Sequence, residues 1–142
     1  MKRIMAVFAA VGMALAASVV AATPASAALP TCYRQAPLDT GHIGDINVPS
    51  AGTTASSTSC ILKRGHRNAA VKRLQQNLNV CFNGADIADD GVFGPQTEAA
   101  LERTQRALGI EDDGVYGPVT RDRMPWWAGG AGCWRVNGPG GL

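Results

Sequence analysis

Between residues 68 and 79 the apolar side chains Val71, Leu74 and Leu78 recur at the i, i+3, i+7 spacing of one helical face. The pattern predicts an amphipathic helix starting at Arg67 or Asn68, with Lys72, Arg73, Gln75 and Gln76 outward. A second helix is expected from Pro95 to about Leu108, with Ala100, Leu101, Thr104 and Leu108 inward and Gly109 ending it. Glu98 and Glu102 project from its other side, and Glu102 can reach Arg106 at i+4. A third, shorter helix should start at Pro118 and stop before Pro125, because the residue preceding a proline resists helical geometry. With Leu62, Val92, Val115 and Met124 these faces make a small all-α core.

One phrase occurs twice. Residues 89–97 read DDGVFGPQT and residues 112–120 read DDGVYGPVT, so seven of nine positions are identical at an offset of 23. Such self-similarity marks one supersecondary unit used twice. Asp-Gly favours a turn in which Gly91 and Gly114 take positive φ. A valine and an aromatic then give a brief extended step. Gly-Pro follows as a helix start, with proline at the first helical position where its missing N–H costs nothing.

Outside this centre the periodicity fades. Residues 28–59 are punctuated by Pro, Gly and Asp, and TTASSTS (53–59) has linker composition. Only DINV (45–48) reads as a short strand. The C-terminal stretch 128–142 is glycine-rich and expected to be loose apart from Cys133.

Before all of this, Lys2 and Arg3 precede an uncharged run of 19 residues, Ile4 to Ala22, followed by Pro24 and the small-residue box Ala25-Ser26-Ala27. That is the layout of a secretory signal cleaved after Ala27. An uncleaved anchor is the competing reading, which the cleavage box and Pro24 oppose. The charge picture changes accordingly. The chain carries 13 basic and 11 acidic residues, and losing Lys2 and Arg3 leaves the two signs balanced. A general polyanion partner such as nucleic acid loses its support, and no membrane partner is expected once the signal is removed.

Four cysteines, Cys32, Cys60, Cys81 and Cys133, lie beyond the signal. In a small exported protein an even count predicts two disulfides, with three pairings open. Cys60–Cys81 with Cys32–Cys133 is favoured, because the first pair would flank the first helix and the second would tie the tails. Cys60–Cys133 is the alternative clamp. Such bridges suit a core too small to be stable alone. No C-x-x-C occurs and only His42 and His66 are present, so a zinc site lacks its ligands.

The order LKRGHRNAAVKRLQQNLN (62–79) followed by two D-G-V-aromatic-G-P-x-T phrases resembles the peptidoglycan-binding domain family. That family shows L-x-x-G, then V-x-x-L-Q-x-x-L, then D-G-x-x-G-P-x-T heading its helices. The match covers residues 60–125, about half the chain. It implies a small three-helix, all-α bundle with irregular, disulfide-tied N- and C-terminal segments. The chain then divides into a signal peptide (1–27), an arm (28–59), the domain (60–127) and a tail (128–142). It further implies peptidoglycan as partner, through glycan strand or stem peptide, and a separate cell-wall hydrolase as a second one.

Candidate ligand contacts are Arg67 and Arg121 for carboxylates, and Phe93, Tyr116 and Trp126 for sugar faces. Arg64, Lys72, Arg73 and Trp127 could add to them. Helix starts with unpaired N–H groups are natural seats for carboxylates. The competing readings are a solvated helix face for the basic cluster and core packing for Phe93 and Tyr116. Of those two rings Tyr116, with its polar tip, is the one expected at the surface.

For catalysis the sequence offers no H-E-x-x-H and no G-x-S-x-G. The pairs Asp89-Asp90 and Asp112-Asp113 resemble a glycosidase dyad only superficially, since each belongs to the repeated turn. Neither copy has the alternating acids of a calcium loop. The expectation is an exported, non-enzymatic wall-binding module without cofactor. A scaffold binding another protein through Trp126-Trp127, or a hydrolase with an unrecognised site, are the alternatives.

Overall fold

The computed structural model describes residues 28–39, 45–82 and 85–136. The expected signal segment, His42 and residues 137–142 lie outside the described residues. Two strands, β1 (Arg34–Asp39) and β2 (Asp45–Ser50), pair antiparallel. Three helices follow, α1 (Ala69–Cys81), α2 (Pro95–Ala107) and α3 (Pro118–Arg123). A second antiparallel pair, β3 (Pro125–Trp127) and β4 (Cys133–Arg135), closes the order.

The helices stand where the apolar spacing put them. Asn68 caps α1, its side chain accepting the Val71 N–H at 3.1 Å, which satisfies one of the orphan donors of the first turn. Proline heads α2 and α3, and Gly109 takes φ +67° just past the end of α2.

The all-α expectation is overturned, because four strands in two small sheets accompany the helices. DINV does form part of β2, but the arm as a whole is more than a linker. Ala36, Ile46 and Val48 are buried, and β2 packs on α1. The period-2 signal was short and broken by Pro37 and Pro49, which sequence reading takes as turn chemistry. The stretch 128–136 is likewise held, with Trp134 packed against the core from β4.

Leu62, Val71, Leu74, Leu78, Leu101 and Met124 are fully buried as expected, while Val92, Val115 and Leu108 are half-buried. The largest core side chains are Trp126, Tyr116 and Phe93. Two polar residues of α1 depart from the predicted outward face: Arg73 and Gln75 are buried. Arg106 also departs from expectation. It pairs with Asp112 across the turn rather than with Glu102 on its own helix.

Both disulfides differ from the favoured pairing and from its alternative. The bridges are Cys32–Cys60 and Cys81–Cys133, spanning 28 and 52 residues. The reason lies in the strands. Residues 30–32 run parallel to Ile61, with Cys32 N–H to Ile61 O at 3.0 Å and Ile61 N–H to Pro30 O at 2.9 Å, which sets Cys32 beside Cys60. At the other end, the buried Asn77 of α1 donates to Pro125 O at 2.9 Å and accepts the Trp127 N–H at 2.8 Å. That clamp brings the C-terminal strand pair to the end of α1, where Cys133 meets Cys81. Among the described residues no helix is long and apolar enough to cross a membrane.

Candidate functional site

The two copies of the repeated phrase form two matching loops, and each is held by a buried glutamine from the preceding helix. In the first, the Gln75 side-chain carbonyl accepts the Gly91 N–H at 2.8 Å. The Gln75 amide nitrogen lies 3.0–3.1 Å from Asp90 Oδ1, Val92 O and Thr97 Oγ1. In the second, Gln105 accepts the Gly114 N–H at 2.9 Å, and its nitrogen lies 2.9–3.2 Å from Asp113 Oδ1, Val115 O and Thr120 Oγ1. One amide thus ties the aspartate, the glycine, the valine and the helix-initiating threonine of each phrase.

Within the loops the chemistry is that of the turn. Asp90 Oδ1 accepts the Val92 N–H and Asp113 Oδ1 the Val115 N–H, both at 2.9 Å. The Val92 N–H and the Gln75 amide stabilise the ionised Asp90 carboxyl and hold its pKa below the usual range. Asp112 is lowered likewise by its bond to Arg106. Gly91 and Gly114 take φ +75° and +67°, as the Asp-Gly turn requires.

The segment 62–68 is the strap between the loops. Leu62 and Tyr116 exchange backbone hydrogen bonds at 2.8 and 3.0 Å. Further along, His66 O accepts from Phe93 N–H and Gly91 O from Asn68 N–H. This explains why L-x-x-G precedes the helix: the strap must turn at Gly65, at φ +96°, to pass from one loop to the other.

Equivalent grooves flank the loops. The first, about 140 Å³, lies between Gln75, Ile87, Asp90, Pro95 and Gln96. The second, about 240 Å³, is bounded at matching positions by Gln105, Ile110, Asp113, Pro118 and Val119, with Leu29 and Ile61 added. Both carry acidic side chains: Asp90 in the first, Glu111 and Asp113 in the second.

The structure separates the five sequence-predicted contacts. Phe93, Tyr116 and Trp126 are at most 1% exposed, so as folded they present no face to a sugar. Tyr116, expected at the surface, is sealed edge-on against Trp126 with ring centroids 6.0 Å apart. Its hydroxyl has no hydrogen-bond partner, and burial pushes its pKa well above the usual tyrosine range. The aromatic step of each phrase is core, and the polar tip did not prevent it.

Arg121 is mostly covered, donating to Asp122 at 2.7 Å and to Thr58 at 2.8 Å. It fastens α3 to the arm. Arg67 alone of the five is exposed, and its charge lies close enough to Asp90 to help lower that carboxyl. Among the described residues the exposed aromatic side chains are Tyr33 and Trp127, at 47% and 44% exposure. Sequence reasoning missed Gln75 and Gln105. Their signal was a glutamine directly after an inward position, 15 and 8 residues before the aspartate it binds.

The model of the family described as "Putative peptidoglycan binding domain" matches residues 67–124. This domain belongs to the peptidoglycan-binding domain family. The matched span holds all three helices, both loops and both glutamines, and leaves the two strand pairs outside. No curated protein matches the chain.

Among solved structures, a peptidoglycan-binding protein from Clostridioides difficile in complex with glutamine hydroxamate is 27% identical over 55% of this chain, with a TM-score of 0.44. The chain covers 43% of that protein's length, so it spans less than half of it. The SleB N-terminal domain is 34% identical over 44% of this chain and 85% of its own, with a TM-score of 0.41.

Proposed function

We propose that this is an exported, non-catalytic module that holds bacterial cell-wall peptidoglycan through residues 67–124, by itself or beside a separate cell-wall hydrolase. The observation that carries the reading is the family membership of that stretch. Export is supported by the basic-then-uncharged layout of residues 1–27 and by two disulfides, which persist in oxidising compartments. A binding rather than hydrolytic role is supported by Asp90 and Asp113, whose carboxylates are engaged by turn N–H groups and by glutamine.

The partner-binding alternative has lost half of its expected surface, since Trp126 is buried and Trp127 stands without it. The test is incubation of the oxidised protein, residues 28–142, with purified insoluble peptidoglycan. The reading expects protein in the pellet and no sugar or peptide in the supernatant. Soluble products that persist through repurification would make it an enzyme.

A further inference from the structure

Arg73 is only 7% exposed, yet among the described residues no carboxylate pairs with it; the ion pairs there are Arg64–Glu98, Arg106–Asp112 and Arg121–Asp122. Its Nε donates to Asn47 O at 2.6 Å and its Nη2 to Trp127 O at 3.1 Å. The Trp126 ring lies 5.8 Å away on one side. A guanidinium has five N–H donors, so two carbonyls leave it under-satisfied. Among the described residues Nη1 has no partner, and the one sealed side-chain atom there without a partner is the Tyr116 hydroxyl. Nη1 therefore keeps access to the space beside it.

Arg73 borders a cleft of about 180 Å³, lined also by Gln35, Asn47, Gln76, Trp127, Ala128 and Gly129. Its charge sets it apart from the two loop grooves. They carry Asp90, Glu111 and Asp113, whereas this lining has one charged group, and it is positive. Buried charge without a counter-ion is unfavourable, and a carboxylate is the anion whose two oxygens match a guanidinium fork. The half-exposed Trp127 offers an apolar wall beside it. The volume is below the ~300 Å³ of a drug-sized site, which suits a terminal group rather than a whole repeating unit.

We infer that this cleft is a carboxylate-binding subsite, with Arg73 as the anion seat and Trp127 as the apolar wall. Resting on the wall-binding reading, its ligand is the free terminal carboxylate of a peptidoglycan stem peptide. Arg73 and Gln76 belong to α1, inside the family match at 67–124, whereas Gln35 of β1, Asn47 of β2 and Trp127 to Gly129 lie outside it. The subsite is thus a seat on the matched domain walled by this chain's own additions to it. Cys32–Cys60 and Cys81–Cys133 fasten the segments that carry those additions, and a pre-formed site loses less freedom on binding.

The test is a titration of the oxidised protein with a synthetic stem pentapeptide and with the same peptide amidated at its C-terminus. It is followed by NMR at the Arg73 Nε–H and the Trp127 indole N–H. Both signals should move with the acid, and the amide should bind at least about tenfold more weakly. Trp127→Ala, at an exposed position, should weaken the acid by roughly two- to tenfold, and Arg73→Gln should abolish the preference for acid over amide. Equal affinity for acid and amide, or full affinity in Trp127→Ala, overturns the proposal even if Arg73→Gln fails to fold. Protein that pellets with the wall but shows no acid preference refutes the cleft and leaves the wall reading intact. Protein that binds the acid here but does not pellet sustains the cleft and refutes the wall reading.

Discussion

Gln105 and Gly114 are joined by a hydrogen bond from the glycine N–H to the glutamine side-chain carbonyl at 2.9 Å, and Gln75 holds Gly91 in the same way at 2.8 Å. Both glutamines are about 1% exposed, so each N–H they satisfy is closed to water. Truncation to alanine leaves that donor and its neighbours unpaired, at a cost of about 1–3 kcal/mol per unsatisfied group. Gln75→Ala and Gln105→Ala should each lower the urea midpoint, by similar amounts. A midpoint within error of wild type for either would mean the amide does not hold its loop.

The turn itself can be tested at Gly91. Its φ is +75°, and a Cβ there would meet Asn68 O at 3.0 Å. Gly91→Val should therefore destabilise by ~1–3 kcal/mol from backbone strain, with steric crowding added. Gly130→Ala is the control, at a position where nothing lies within 4 Å of an added Cβ, and should stay within ~0.5 kcal/mol of wild type. Equal melting temperatures for the two variants would contradict the turn geometry.

Tyr116→Phe should be neutral or stabilising, by up to ~1 kcal/mol, because the buried hydroxyl has no partner to lose. The first copy of the phrase already carries phenylalanine there, at Phe93. The sign of the pH effect follows from the raised pKa. The unfolded tyrosine ionises near pH 10 while the folded one stays neutral, so this group costs stability as pH rises above ~10. Wild type should lose stability there more steeply than Tyr116→Phe in parallel denaturant titrations. Identical slopes would show that Tyr116 is not sealed.

Non-reducing peptide mapping should recover Cys32–Cys60 and Cys81–Cys133 and no other pair. Loops of 28 and 52 residues correspond to about 4 kcal/mol of unfolded-chain entropy per bridge. That is a large share of the ~5–15 kcal/mol available to a domain, so reduction should unfold the protein or bring it close to unfolding.

What the sequence disclosed and what it hid divide along physical lines. Val71, Leu74 and Leu78, the Asn68 cap and the Gly-Pro starts are local signals, and they located α1, α2 and α3 within one or two residues. Gly91 and Gly114 were legible because only their own backbone decides them. Of the strands only DINV in β2 was legible, since β1–β2 is short, interrupted by proline, and stabilised by packing on α1. Arg73 and Gln75 read as surface because a polar side chain in an amphipathic helix usually is. Their burial depends on acceptors at Asn47 and Trp127 for one and on the Asp90 loop for the other, up to 54 residues away. The disulfide pairing depended on those same strands, and the site residues on knowing which aromatic side chains the core would take.

The central claim is that this chain holds peptidoglycan, and a pelleting isotherm tests it most directly. Folded, oxidised protein is mixed at low salt with increasing purified peptidoglycan, with cellulose as the control polymer. The account predicts saturable loss of protein from solution on peptidoglycan and none on cellulose. No saturable binding to peptidoglycan, or equal pelleting on both polymers, would contradict it.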